Sequence, residues 1–395
     1  MVEPVDIGGL TELKARYQRN LFDSVIPFWE RHSLDRKYGG QFTCLNRQGE
    51  IFDTRKYVWM NGRAVWMFSR LYNTWEHRPE WLENARLILD FLLRHARDSE
   101  GRCYFSLTRD GEPAFFQRKP YSAFFLVLAL TEFYKTGAGT NENLEQARTL
   151  ANQVLSWIAD STPLGRPRLS GQTPLRQLAD IMVIASMAME LMPFSVDPLY
   201  PELLRQCLRD VRAHWLPERR TLLENLPLDG SDYRQSPDTR LLCPGSAIEV
   251  AWFLLHALEG LEERDSETQT LLLDVIEGSL ENGWDAEHGG LYYFLDSDGK
   301  PPLQLEASMK LWWPHTEALY ALVLAYSLTG EAKWLKWLRK VDEYTFRTFT
   351  DAEFGEWFGY ADRYGRLSHQ LKGGPYKGFF HVPRSLLFCI QRLPG

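Results

Sequence analysis

Hydrophobic and polar positions along the chain alternate between two kinds of helical segment. The first kind is amphipathic: in residues 80–97, Trp81, Ala85, Ile88 and Leu92 form one apolar stripe among Glu, Asn and Arg. The second is apolar nearly all round, over residues 58–71, 121–133, 178–192, 247–258, 317–328 and 382–390. Between the two kinds recurs a Gly-rich, strand-like segment, as in Tyr38-Gly39-Gly40-Gln41-Phe42 and Gly289-Gly290-Leu291-Tyr292-Tyr293. Most copies end in a polar turn such as Asn46-Arg47-Gln48-Gly49, the signature of a hairpin. Weaker copies fit at Gly165-Arg166-Pro167-Arg168 and Arg220-Thr221-Leu222-Leu223, and anchors near 39, 101, 165, 221, 289 and 355 give six units.

An inner ring of helices apolar throughout, backed by an outer ring apolar on one face, describes an all-α (α/α)6 barrel of six helical hairpins. Short β-hairpins then sit at the active-site mouth. An open helical solenoid is the rival, but it should end in polar capping repeats, and residues 382–390 are as apolar as the middle segments. No Pro- or Ser-rich linker divides the chain, so residues 1–395 are expected to form a single catalytic domain. In such a barrel the hairpins and the N-termini of the inner helices meet at one opening.

Composition changes this picture little. The 395 residues are 44% hydrophobic and carry a net charge of −7 without a Lys/Arg cluster, which argues against nucleic acid. The longest clean apolar run, 124–130, is too short to span a membrane. The N-terminus lacks a basic stretch followed by an apolar one, and the five scattered Cys form no Cys-x-x-Cys pair. The expectation is a cytoplasmic protein without a metal site. Fourteen Trp, 17 Tyr and 22 Phe suit a sugar-binding cavity, or equally a large helical core.

Four inner-helix starts carry candidate chemistry. In Cys243-Pro244-Gly245-Ser246-Ala247-Ile248-Glu249, Ser246 and Glu249 share one face, although a Ser N-cap with an acidic first turn explains the pattern too. Arg63 has Trp59 four residues before it and Trp66 three after, and burial there would demand an anionic or carbonyl partner. Trp313 and Glu317 are four apart, a spacing suited to stacking and hydrogen-bonding a sugar, whereas His315 should point away into a structural role. His381 and Arg384 share a face, which makes His381 a candidate acid/base. Asp180 is a weaker candidate, for which an ion pair with Arg176 is the plainer reading.

Tyr57-Val-Trp-Met-Asn-Gly-Arg63, Pro244-Gly-Ser-Ala-Ile-Glu249, Trp313-Pro-His-Thr-Glu317 and Phe380-His-Val-Pro-Arg384 together resemble the N-acylglucosamine 2-epimerases. The resemblance implies interconversion of N-acetylglucosamine and N-acetylmannosamine by proton removal at C2 of the ring-opened sugar and reprotonation on the other face. It makes His381 one base and Arg63 the stabiliser of the developing oxyanion. Glu317 and Glu249 would orient a base or the sugar hydroxyls, and Trp252, Trp313, Arg384, Tyr57 and Asp180 would contact the substrate. It also implies no cofactor for the chemistry, ATP as an allosteric activator, and a homodimer. The second family histidine falls at position 246, where this chain has Ser, so the expectation is an impaired epimerase. Alternatives are an isomerase or 2-epimerase of unsubstituted sugars, an (α/α)6 glycoside hydrolase using Glu249, Glu317 or Asp180, and a protein-binding scaffold.

Overall fold

The computed structural model describes residues 7–165 and 169–394. The chain begins with α1 (Ile7–Arg19) and α2 (Ile26–His32), joined by a π-helical stretch over Asn20–Val25. It then alternates inner and outer helices: α3 (Val58–Thr74), α4 (Pro79–His95), α5 (Tyr121–Lys135), α6 (Asn141–Ala159), α7 (Leu178–Leu191) and α8 (Leu199–His214). The second half continues with α9 (Pro244–Leu261), α10 (Ser266–Gly283), α11 (Trp312–Thr329), α12 (Ala332–Phe349) and α13 (His381–Arg392).

Odd-numbered helices from α3 to α13 pack side by side in sequence order, each backed by its outer neighbour. The ring closes where Trp66 of α3 meets Phe380 and Phe388 at the α13 end, with ring centroids 5.4 and 6.3 Å apart. The outer layer closes too. Helix α1 lies behind α13, Lys14 Nζ donating to the Leu393 carbonyl at 2.9 Å and the Tyr17 hydroxyl to Asp342 of α12 at 2.8 Å. The first helix thus supplies the outer partner of the last inner one. That is why no polar capping repeat was needed, and the fold is an (α/α)6 barrel with one apolar core running from Leu10 to Leu393.

The hairpins are pinned by a device the hydrophobic pattern did not reveal. Asp35 accepts the Lys37 and Tyr38 amides on its carboxylate, and Gly39 and Gly40 follow at φ +82° and +78°, where a side chain would be strained. The buried Lys56 ammonium, two residues ahead of α3, donates to Asp35 Oδ2 at 2.9 Å and to the Gly39 carbonyl at 2.6 Å. The same arrangement recurs at Asp285, Gly289, Gly290 and Lys310, whose Nζ lies 3.1 Å from Asp285, and at Asp351, Gly355 and Lys372, at 2.8 Å. Each pair is buried and satisfied by further carbonyls, so it fixes the hairpin. Because Lys56 and Lys310 directly precede α3 and α11, those pairs also set where the two helices begin.

Of the weaker hairpin copies, the one near 221 is real: Trp215–Leu216 pairs with Thr221–Leu222. In the copy at 165, Arg166, Pro167 and Arg168 lie outside the described residues. Beyond it, Leu175–Gln177 instead pairs with Asn225–Pro227, tying the start of α7 to the segment ahead of α9.

Candidate active site

Two inner helices begin earlier than their apolar runs. Helix α9 starts at Pro244 and α11 at Trp312, ahead of the apolar runs from 247 and 317, and side chains of their first turns line a cavity. Cys243, not Ser246, is the N-cap of α9, and Pro244 occupies the first turn. Ser246 is therefore a first-turn residue, and both it and Glu249 face the cavity. This cavity, of 690 Å³, is lined by residues from the first two turns of all six inner helices, among them Arg63, Phe125, Met182, Ser246, Trp313 and His381. Tyr293, Glu306, Tyr360 and Tyr376 close it from the loops.

His381 opens α13, and its Nδ1 lies 2.7 Å from Glu317 Oε1. A carboxylate accepts only, so Nδ1 carries the hydrogen and Nε2 is left with the lone pair a base requires. Burial, with the Arg63 charge nearby, holds the His381 pKa well below the usual imidazole value, so the ring is neutral near pH 7. Glu317 also accepts from Trp252 Nε1 at 3.0 Å and from Arg384 Nη2 at 2.7 Å, and the same Nη2 donates to Glu249 at 2.7 Å. Burial raises both carboxyls above the ordinary range while Arg384 opposes the rise. Despite its own burial, Arg384 is raised by the two carboxylates it joins.

Arg63 differs from Arg384. Its guanidinium sits 4.1 Å from the Phe125 ring centroid, 4.6 Å from Trp59 and 5.0 Å from Phe380. It makes no ion pair among the described residues, and its buried Nε has no hydrogen-bond partner. The anionic partner expected from the sequence is absent, and Trp66, the second expected flank, turns away to donate to Glu190 at 2.9 Å. Burial lowers the Arg63 pKa to about 9, Glu249 partly offsetting it. An aromatic-caged cation with unused donors is built to receive an oxygen that gains negative charge.

Four of the expected substrate contacts do not line this cavity. Trp252 and Arg384 do not line the cavity; they stand behind Glu317 and wall a second, 240 Å³ hollow on the other side. Tyr57 caps α3 and pairs in register with Ser106, which turns its ring into a small cluster with Cys44, Met60 and Phe105. Asp180 lies between the lining residues Ala179 and Met182 without lining the cavity itself, and burial raises its pKa to about 6. The Arg176–Asp180 ion pair is not formed either, since Arg176 is exposed on the strand before the helix. Trp313 lines the cavity as expected, its ring 5.9 Å from that of His381.

His315 is structural: the Leu291 amide donates to Nε2 at 2.9 Å, so Nδ1 donates to the Leu311 carbonyl at 2.6 Å. The side-chain ligand atoms of Glu249, Glu317 and His381 lie within 4.8 Å of one another, a spacing a cation could use. Arg384 already binds both carboxylates there, and a metal would have to displace it. Sequence reasoning missed Glu224, whose buried Oε1 has no hydrogen-bond partner and whose carboxyl neighbours Ser246. Its only signal was position, two residues beyond a strand in a weak hairpin copy.

The (α/α)6 barrel gathers charged and aromatic side chains around one cavity at its mouth, the setting of an enzyme active site. A family model described as N-acylglucosamine 2-epimerase (GlcNAc 2-epimerase) matches residues 40–385, and the chain belongs to that family. It is 41% identical over 388 residues to the N-acylglucosamine 2-epimerase of Mus musculus, covering 96% of this chain and 91% of that protein. Among solved structures, cellobiose 2-epimerase from Bacillus thermoamylovorans superposes with a TM-score of 0.82 at 20% identity, over 97% of this chain and all (100%) of that one. A D-mannose isomerase superposes with a TM-score of 0.80 at 16% identity, over 98% of this chain and 99% of that one. At such identities these two speak for the fold alone.

Proposed function

We propose that the chain is a sugar 2-epimerase that interconverts N-acetylglucosamine and N-acetylmannosamine. The observation that carries this reading is the neutral His381, held by Glu317 through Nδ1 at the wall of a cavity that also holds the unpaired Arg63 guanidinium. In the ring-opened sugar, the hydrogen at C2 is acidified by the C1 aldehyde. Nε2 of His381 removes that proton, and the electron pair moves onto the C1 oxygen, which Arg63 receives. Preorganised donors at such an oxyanion are worth about 10²–10³ in rate each. Glu317 fixes the tautomer of the base, Glu249 orients the sugar from beside Ser246, and Trp313 stacks on it. Arg384 and Trp252 hold Glu317 in place and act through it. With Ser at position 246, turnover is impaired relative to an enzyme with histidine there.

The choice of substrate follows the Mus musculus relative at 41% identity. By the same resemblance we take residues 1–395 as one catalytic domain, ATP as an allosteric activator with no part in the chemistry, and a homodimer as the assembled form. A cytoplasmic location agrees with five buried, unpaired cysteines. No helix among the described residues is long and apolar enough to cross a membrane.

Hydrolysis is disfavoured by geometry. A glycosidase needs two carboxyls facing each other across the scissile bond, whereas Glu317 does not line the cavity and shares one guanidinium nitrogen with Glu249. Incubating the protein with N-acetylmannosamine, free mannose and a chromogenic glycoside panel separates the readings. Interconversion of the N-acetylated pair supports the proposal. Conversion of free mannose alone would move the assignment to the unsubstituted sugars, and glycoside release would end it.

A further inference from the structure

Epimerisation needs proton transfer on both faces of C2, and His381 serves one. On the other side of α11, Ser246 lines the same cavity from the first turn of α9. A serine hydroxyl cannot exchange protons near neutrality without a partner of its own. Among the described residues that partner is Glu224. Its backbone is pinned twice, the amide donating to the Leu241 carbonyl at 3.0 Å and its carbonyl accepting the Leu178 amide at 2.8 Å. The side chain is thereby held between the starts of α7 and α9 with its carboxyl beside Ser246, and Oε1 is buried without a hydrogen-bond partner. Such an oxygen is costly to bury unless a proton occupies it part of the time.

We propose that Glu224 is the proton reservoir behind Ser246, so that a Glu–Ser pair supplies the second proton transfer of the C2 reaction. The proposal rests on the epimerase reading. In one direction His381 takes the C2 proton and the electron pair moves to the C1 oxygen. The Ser246 hydroxyl then gives its proton to C2 on the opposite face as the electron pair returns, and takes the proton held by Glu224. His381 ends as imidazolium and Glu224 as carboxylate; one proton passes back between them through solvent. The other epimer runs the same steps in reverse, with Ser246 accepting from C2 as it passes its own proton to Glu224. Burial raises the Glu224 pKa to about 7, the neighbouring Ser246 hydroxyl opposing and the Glu249 charge adding to the rise, so both protonation states are populated at neutrality.

The active site must carry one proton shared between His381 and Glu224 in either direction, so kcat/KM for both epimers should fall as pH rises through about 7. Glu224→Gln keeps the size of the side chain and its contact with Ser246 but cannot cycle the proton. It should lower kcat about a hundredfold with KM little changed, and abolish the limb near pH 7. Ser246→Ala should lose as much. A merely structural role would lower the rate at every pH and leave the limb in place, which would overturn the proposal, as would a Glu224→Gln enzyme with unchanged turnover. If the unmodified chain is inactive while Ser246→His interconverts the sugars, the epimerase reading stands and the Glu–Ser pair falls. If neither protein moves the C2 proton, both fall.

Discussion

Replacing Glu317 by Gln removes one negative charge from the centre of the site and nothing from the cavity wall. Glu317 accepts from His381 and Arg384 at 2.7 Å each and from Trp252 at 3.0 Å. An amide can place its oxygen toward His381, but its NH2 then confronts the Trp252 N–H, donor against donor. Flipped, the amide donates to Nδ1 and moves the imidazole hydrogen to Nε2, where the base needs its lone pair. Loss of the carboxylate that sets a catalytic tautomer costs about 10³–10⁴ in kcat, or about 4–5.5 kcal/mol of barrier. Arg384 keeps Glu249 as its single carboxylate partner, and breaking half of a buried charge cluster costs about 3–5 kcal/mol of stability. KM should stay within about twofold, because Glu317 does not line the cavity. Initial rates by sugar NMR give kcat and KM, and urea unfolding gives the stability loss. A folded Glu317→Gln enzyme with kcat within tenfold of the parent, or a loss expressed in KM, would refute the buttress.

Arg63→Met should show the opposite balance. It removes a buried cation that pairs directly with no carboxylate among the described residues, so stability is expected to hold or rise while kcat falls about 10²–10³-fold, read by the same two assays. Ser246→His should raise turnover at least about a hundredfold, the worth of a general acid/base, and unchanged turnover would discredit the impairment reading. His315 has its folded pKa depressed to about 3 by burial. Its unfolded value is about 6.5, so the unfolded chain binds the extra proton between those values and stability is lost as pH falls below about 6.5. Replacing His315 by Gln should flatten the pH dependence of unfolding free energy between pH 6 and 4 by about 1.4 kcal/mol per unit. An unaltered slope would count against a neutral, structural His315.

The barrel was legible because the two rings impose different patterns: a helix buried on every side is apolar nearly all round, while one backed by solvent is polar on one face. The hairpins were legible from their glycines, yet what anchors them was not. Asp35 and Lys56 are 21 positions apart in sequence, and nothing local pairs them, although Asp four residues before the first Gly recurs at Asp35, Asp285 and Asp351. At the site, three- and four-residue spacings correctly joined Ser246 to Glu249 and His381 to Arg384, since both members sit on one helix. The substrate contacts that the resemblance implied at Trp252, Arg384 and Tyr57 lie outside the cavity wall, and no spacing could show that. A helical face says which residues share a side, not which of them a neighbouring carboxylate draws behind the wall. Glu224 was invisible for the same reason as Lys56: its role comes from a helix start that another part of the chain supplies.

The claim beneath all of this is that an imidazole on α13 takes the hydrogen from C2 while a guanidinium on α3 holds the neighbouring oxygen. Proton NMR of N-acetylmannosamine and N-acetylglucosamine in D₂O follows that hydrogen directly. The account predicts that the protein washes the C2 proton of at least one epimer into solvent and that His381→Asn abolishes the exchange. Exchange that survives in His381→Asn, or a C2 proton retained in both sugars with the unmodified chain and with Ser246→His, would contradict it.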